Sequence, residues 1–141
     1  MSTFLLEIIT PERIAFSEQV EMITTPTSSG LIGILPHHTN LFTRLTEGEL
    51  KIVKSQKEYF LAIGGGFMEV TKEKVLILVT EAYHADEINE KEVLAARQRA
   101  KDALIAKPEG VDLKEAQAIF RRSEIAIKVL RKKKSHSTSV S

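Results

Sequence analysis

Four groups of residues in this chain have types and spacings suited to chemistry. His37-His38 offers a metal-ligand pair, Gly64-Gly65-Gly66 a phosphate cradle, Glu47, Glu49, Glu69 and Glu73 acid–base carboxylates, and Arg131-Lys132-Lys133-Lys134 a nucleic-acid contact. Each lacks what would complete it. Adjacent histidines in an extended segment point to opposite faces, and no cysteine or nearby carboxylate finishes a metal set. The glycine triplet is followed by Phe67-Met68-Glu69-Val70, a strand pattern, where a phosphate loop needs Lys-Ser/Thr opening a helix. It therefore predicts a tight strand connection. The carboxylates flank turns, where water solvates them. No serine stands in a glycine-flanked elbow, and the basic run has no interleaved aromatics to stack on bases. The expectation is a non-catalytic chain with no metal, no cofactor and no nucleic-acid partner.

The elements that must position these residues divide the chain in two. Up to residue 85 it reads as short extended runs separated by turn residues. Phe4 to Thr10 stops at Pro11, Arg13 to Val20 and Glu21 to Thr25 stop at Pro26-Thr27-Ser28-Ser29-Gly30, and Leu50 to Lys54 and Glu58 to Ile63 flank the polar turn Ser55-Gln56-Lys57. Phe67 to Val70 and Lys74 to Glu81 close the series. The stretch Gly30-Leu31-Ile32-Gly33-Ile34-Leu35-Pro36 reads as turn, buried strand, turn. Many short strands at this spacing predict an all-β sandwich.

Beyond residue 85 the period changes to that of a helix. Asn89 with Glu92 three residues on is a capping-box pattern, and Val93, Ala96, Ala100, Ala103 and Leu104 recur on one helical face. Lys107-Pro108-Glu109-Gly110 breaks that helix. Asp112 with Glu115 opens a second, striped by Ala116, Ile119, Phe120, Ser123, Ile127 and Leu130. The expected organisation is a sandwich over 1–85, a helical hairpin over 86–134 and a polar tail over 135–141. A hairpin of this size depends on docking for much of its order, because units below about 40 residues rarely fold alone.

Charge follows the same division. The net charge is +1, but residues 1–85 carry −3 and residues 86–141 carry +4. Such an asymmetry suggests two segments with different partners. The chain has no cysteine, so disulfides and thiolate metal sites are excluded. Met1 to Glu7 lacks the basic-then-apolar pattern of a secretory leader. The longest aliphatic run, Val75-Leu76-Ile77-Leu78-Val79, is far short of the roughly 20 residues that cross a bilayer, so no direct membrane insertion is expected.

Taken together, Gly30-x-x-Gly33-Ile34-Leu35-Pro36-x-His38-x-x-Leu41, Leu45-x-x-Gly48-x-Leu50 and Gly64-Gly65-Gly66-Phe67-Met68-Glu69-Val70 closely resemble the epsilon subunit of F-type rotary ATP synthases. The order of parts, a β-region and then a helical hairpin, agrees, and the resemblance lapses after about Leu130. It implies a ten-stranded β-sandwich followed by two helices, at the foot of the central stalk. There the sandwich packs on the gamma subunit and the c-ring, turning with the rotor and coupling proton flow to ATP synthesis with no active site of its own. It also implies a peripheral place on the cytoplasmic face of a bacterial plasma membrane. The ring-facing positions of the family match Gly30, Leu31, His38 and Leu41.

In bacterial relatives the hairpin folds on the sandwich or extends toward the catalytic alpha and beta subunits, restraining ATP hydrolysis. The residues expected to carry that contact are Arg121, Arg122, Lys128, Arg131, Lys132, Lys133 and Lys134. Some relatives bind ATP in the hairpin through Ile-Asp-x-x-Arg-Ala and further arginines. Ile88, Arg99 and Arg122 match that pattern, but Asn89 replaces the acid, Glu92 the arginine and Val93 the alanine. A carboxylate at 92 repels phosphate, so weak or absent ATP binding is expected. The competing reading is a stand-alone ATP-sensing module whose hairpin closes on the nucleotide.

Overall fold

The computed structural model describes residues 2–139, with side chains described as far as Lys133. It divides between His84 and Ala85 into two units. The first holds ten strands: β1 (Phe4–Ile9), β2 (Ile14–Val20), β3 (Met22–Thr27), β4 (Gly30–Ile34), β5 (Leu41–Leu45), β6 (Gly48–Lys54), β7 (Lys57–Ile63), β8 (Gly66–Val70), β9 (Lys74–Val79) and β10 (Ala82–His84). Hydrogen bonding links them in the order β10-β7-β6-β3-β5-β8-β9-β1-β2, with β4 attached to β3. The β1–β9 pair is parallel and the other described pairs are antiparallel.

The two-layer form follows from how β3 is shared. Its first half pairs with β6, from Met22↔Val53 to Thr24↔Lys51, and it pairs with β4 from Ile23↔Ile34 to Thr27↔Gly30. Only its last residue, Thr27, pairs with Leu45 of β5. A single bridge at that point is a corner, and the sheet folds over there. Pro26 sits inside the strand beside it. It donates no hydrogen bond, yet its carbonyl accepts from Thr46 N at 3.3 Å. On the far side Glu21 N donates to Val53 O at 2.8 Å, so the end of β2 also meets β6.

Alternation fills the space between the layers. Leu6, Ile8, Val20, Met68, Val75 and Ile77 come from one layer and Ile23, Ile34, Leu50, Ile52 and Leu61 from the other, all at most 2% exposed. They form one contiguous cluster. Each such side chain, fully buried, is worth about 1.5–3 kcal/mol of transfer free energy. At the rim, Lys74 Nζ donates to Glu7 Oε1 at 2.8 Å across the parallel pair, and that hydrogen bond, with the carboxylate's charge, raises the lysine's pKa.

The glycine triplet is a place of close backbone approach. Gly64 N donates to Glu81 O at 2.9 Å and Thr80 N to Gly65 O at 3.1 Å. A β-carbon at Gly66 would overlap the Leu78 carbonyl, whereas one at Gly65 would lie 3.5 Å from Leu45 O. The Ser55-Gln56 turn holds both residues in the left-handed region, φ 52° and 64°, whose twist suits a two-residue hairpin.

One expectation is corrected here. The Gly30–Ile34 segment is a strand but is not buried: Leu31 is 72% exposed, and Ile34 alone is buried. It pairs with β3 on one side, so it lies at an edge. A short apolar run between turns does not by itself distinguish an interior strand from an edge strand.

The second unit opens with a 3-10 turn, Ala85–Glu87, followed by α1 (Glu90–Ala106) and α2 (Leu113–Ser139). Asn89 caps α1, its Oδ1 accepting from Glu92 N at 3.1 Å, and Lys107 ends it in a left-handed conformation with φ 49°. Asp112 Oδ1 accepts from Lys114 N at 3.0 Å and Glu115 N at 3.3 Å to start α2. The backbone of residues 135–139, read from sequence as polar tail, continues that helix.

The glycine contacts separate two otherwise similar substitutions. Gly66→Ala is expected to cost on the order of 3 kcal/mol of unfolding free energy, because the Leu78 backbone must move. Gly65→Ala should stay within about 1 kcal/mol of wild type. Urea unfolding of both variants checks this, and equal midpoints would contradict it.

Candidate interaction sites

The positions expected to face a ring lie along one strand and the loop leaving it. Gly30 and Leu31 begin β4, His38 lies in the loop beyond its end, and Leu41 begins β5. β4 itself runs for roughly 13 Å. Leu31, Gly33 and Leu35 point the same way by strand alternation, with Leu31 and Leu35 exposed at 72% and 57%. A β-carbon at Gly33 would meet Met22 Cε at 3.1 Å, so the strand lies close over that methionine. Leu41 is different: it is half-buried and packs against the core.

A second surface was not singled out from the sequence. On the outer face of the β5–β8–β9 layer, Phe42 and Phe67 stack with centroids 5.7 Å apart and planes at 19°. Leu78 lies opposite Phe67 in the β8–β9 register. All three are large and exposed, Phe42 at 67%. Ile9 and Leu76 continue the face, half-buried. The signal was present in Val75–Val79: a run apolar at every position, rather than at alternate ones, belongs to a strand covered on both faces.

The hairpin joins its helices through small side chains. Ala100, Ala116 and Ser123 are buried, and Ser123 Oγ donates to Ile119 O at 2.7 Å. Arg97 of α1 adds a polar clasp. Its Nε donates to Glu124 Oε1 on α2, and its guanidinium lies 5.6 Å from the Phe120 ring centroid. At the other end Lys133 pairs with Asp86 of the 3-10 turn.

The basic residues of α2 do not share one face. At 100° per residue, Arg121, Lys128 and Lys132 fall together, while Arg122 and Lys133 fall about 100° away. Arg121, Arg122, Lys128 and Arg131 are exposed and Lys132 is half-buried. The side chain of Lys134 lies outside the described residues. Of the three positions matched to an ATP pattern, Ile88 lies well apart from Arg99. Arg99 lines a groove of about 380 Å³ with Ala96, Ala103, Asp112, Glu115 and Ile119. Ile88 precedes α1, about 16 Å away along the helix axis, and neither it nor Arg122 lines the groove. Two carboxylates at the groove oppose a phosphate.

Comparison with known proteins agrees over most of the chain. The family described as ATP synthase, Delta/Epsilon chain, beta-sandwich domain matches residues 3–85. An ATP synthase epsilon chain of Dehalococcoides mccartyi (strain CBDB1) is 37% identical over 137 residues, 96% of this chain and 98% of its own. One of Herpetosiphon aurantiacus is 42% identical over 124 residues, covering 88% and 91%. Among solved structures, a chain of the Euglena gracilis mitochondrial ATP synthase, OSCP/F1/c-ring in rotational state 1, superposes with TM-score 0.65 at 25% identity, covering 96% of this chain and 81% of that one. A chain of the Tetrahymena thermophila mitochondrial ATP synthase central stalk/c-ring shares the fold at TM-score 0.55 and 17% identity, covering 93% and 96%.

Arg97 gives the hairpin a measurable dependence. An exposed ion pair is worth about 0–1 kcal/mol and a cation–π contact about 0.5–1 kcal/mol. Arg97→Ala is therefore expected to lower the protection of α1 amides from hydrogen exchange by about 1 kcal/mol, with a smaller difference at 1 M salt. Unchanged protection at low salt would rule out the clasp.

Proposed function

This chain belongs to the ATP synthase epsilon-chain family, and we propose that it acts as a non-catalytic rotor subunit at the foot of the central stalk, coupling proton translocation to ATP synthesis. The observation that carries the reading is the stacked Phe42–Phe67 pair with Leu78 on an outer sheet face. Aromatics held rigidly on a sheet are efficient anchors for a protein partner. We assign this face to the gamma subunit. The line from exposed Leu31 and Leu35 to half-buried His38 is assigned to the c-ring. Both contacts would hold the chain peripherally at the cytoplasmic face of a bacterial plasma membrane, and no described helix is long and apolar enough to cross it.

The hairpin is assigned a restraining role toward the catalytic alpha and beta subunits. Ala100, Ala116 and Ser123 bring the helices close, Ile127, Val129 and Leu130 of α2 are buried, and Arg97 adds a polar clasp to Glu124. Arg121, Lys128 and Lys132 then give a basic face for acidic partner surfaces, and Arg122 and Lys133 a second one. Several exposed pairs together supply a few kcal/mol, and each 1.4 kcal/mol moves a two-state population tenfold. The stand-alone ATP sensor is the weaker reading, because Ile88, Arg99 and Arg122 do not line one groove.

Reconstitution with the gamma subunit from the same source tests the assignment. The chain truncated at residue 86 is expected to keep the complex, and Phe42→Glu with Phe67→Glu to weaken it at least about tenfold. Full affinity in the double variant would move the docking face elsewhere. No complex with wild type, together with ATP binding by the chain alone, would favour the sensor. In the assembled enzyme, deleting residues 121–141 is expected to raise ATP hydrolysis by about threefold or more at low salt and less at high salt. Unchanged hydrolysis would remove the restraining role.

A further inference from the structure

The register of β5 on β8 brings two turns together. Leu41 lies opposite Val70, so the residues before Leu41 and those after Val70 leave the same edge of the layer side by side. A cavity of about 540 Å³ opens there, lined by His37, His38, Thr39, Asn40 and Lys72. All five side chains can donate a hydrogen bond, and none is a carboxylate.

Both turns are fixed from within. Lys72 sits in a turn closed by Thr71 N donating to Lys74 O at 2.9 Å and by Lys74 N donating to Thr71 Oγ1 at 3.3 Å. His38 N donates to Leu35 O at 3.3 Å, and His37 is held in the left-handed region at φ 66°. The His38 ring is oriented as well. Its Nδ1 lies 2.7 Å from the Thr39 carbonyl oxygen. A carbonyl only accepts, so Nδ1 carries the proton, and Nε2 is the nitrogen left for a ligand.

That set of groups describes a particular anion. With Nδ1 donating to the Thr39 carbonyl, Nε2 is the acceptor position, while Lys72, Thr39 and Asn40 can donate. A phosphate that retains one P–OH satisfies both, donating its hydroxyl to Nε2 and accepting from the others. Sulfate and phosphodiesters have no such hydroxyl. Glu73 follows Lys72 in the turn but does not line the cavity, and Glu7 is engaged by Lys74. We propose that this cavity is a binding site for a phosphate group bearing a hydroxyl, supplied by inorganic phosphate or by a phosphomonoester lipid headgroup.

The inference goes beyond the rotor reading and does not rest on it, since it concerns the chain alone. The cavity shares His38 with the line assigned to the c-ring, so the two contacts compete for one imidazole. The test is nitrogen-15 NMR of the histidine rings of the full chain, titrated with inorganic phosphate and with sulfate at constant ionic strength and pH. Phosphate is expected to shift His38 Nε2 saturably with a dissociation constant of about 1 mM. Sulfate should bind at least about fivefold more weakly, and Lys72→Met should weaken phosphate by about tenfold. Lys72 lies exposed in a turn, so the variant leaves the core intact. Vesicles of phosphatidylcholine with and without phosphatidic acid form the second arm. Binding confined to the phosphatidic acid vesicles assigns the site to a headgroup. Equal shifts with sulfate that survive Lys72→Met mean an adventitious ion only and overturn the proposal, as does the absence of any response in both arms.

Discussion

The sandwich depends on one strand serving three neighbours. β3 pairs with β4 over most of its length, with β6 over its first half, and reaches β5 only through Thr27↔Leu45. That bridge turns a continuous sheet into two facing layers, and every buried side chain in the core presupposes the turn. The local chemistry is tuned to it. Pro26 withholds a donor next to the corner, and a β-carbon on Gly48 would lie 2.9 Å from its ring. With the layers fixed from that corner, the outer face bearing Phe42 and Phe67 and the edge bearing Leu31 are held in a constant relation within the sandwich.

The two units are stabilised by different means. Inside the sandwich, branched aliphatic side chains interdigitate at almost zero exposure. In the hairpin, Ala100, Ala116 and Ser123 bring two helices close, and Ile127, Val129 and Leu130 of α2 are buried. Polar contacts are added by Arg97 with Glu124 and Phe120, and by Lys133 with Asp86. Both ion pairs are part-exposed and so sensitive to salt. Salt therefore bears more on the hairpin than on the sandwich.

The fold was largely legible in the chain because its punctuation is local. Asn89 and Asp112 cap helices as their neighbours predict, and the strands between Leu50 and Val79 fall where β-prone runs and turn residues place them. What escaped the sequence depends on pairing between distant segments. Whether Gly30–Ile34 is interior or edge is decided by β3, and the grouping of Phe42, Phe67 and Leu78 by the register of three strands. The cavity at His38 needs Lys72, 34 positions away, brought there by Leu41↔Val70. His37-His38 alone gave no such hint. Arg131, Lys132 and Lys133 are consecutive in one dimension and fall on three sides of α2 once wound at 100° per residue.

The open side of β4 bears on how the chain fares before it meets its partners. From Gly30 to Leu35 it carries no charged residue, and only its side toward β3 is paired. Charges, prolines or bulges ordinarily blunt such an edge against strand addition by another molecule. Here only Pro36 does so, just past the strand. An edge left open in this way is a template for strand addition by a second copy of the chain. The same bareness that leaves β4 open to a partner strand leaves it open to another copy of itself.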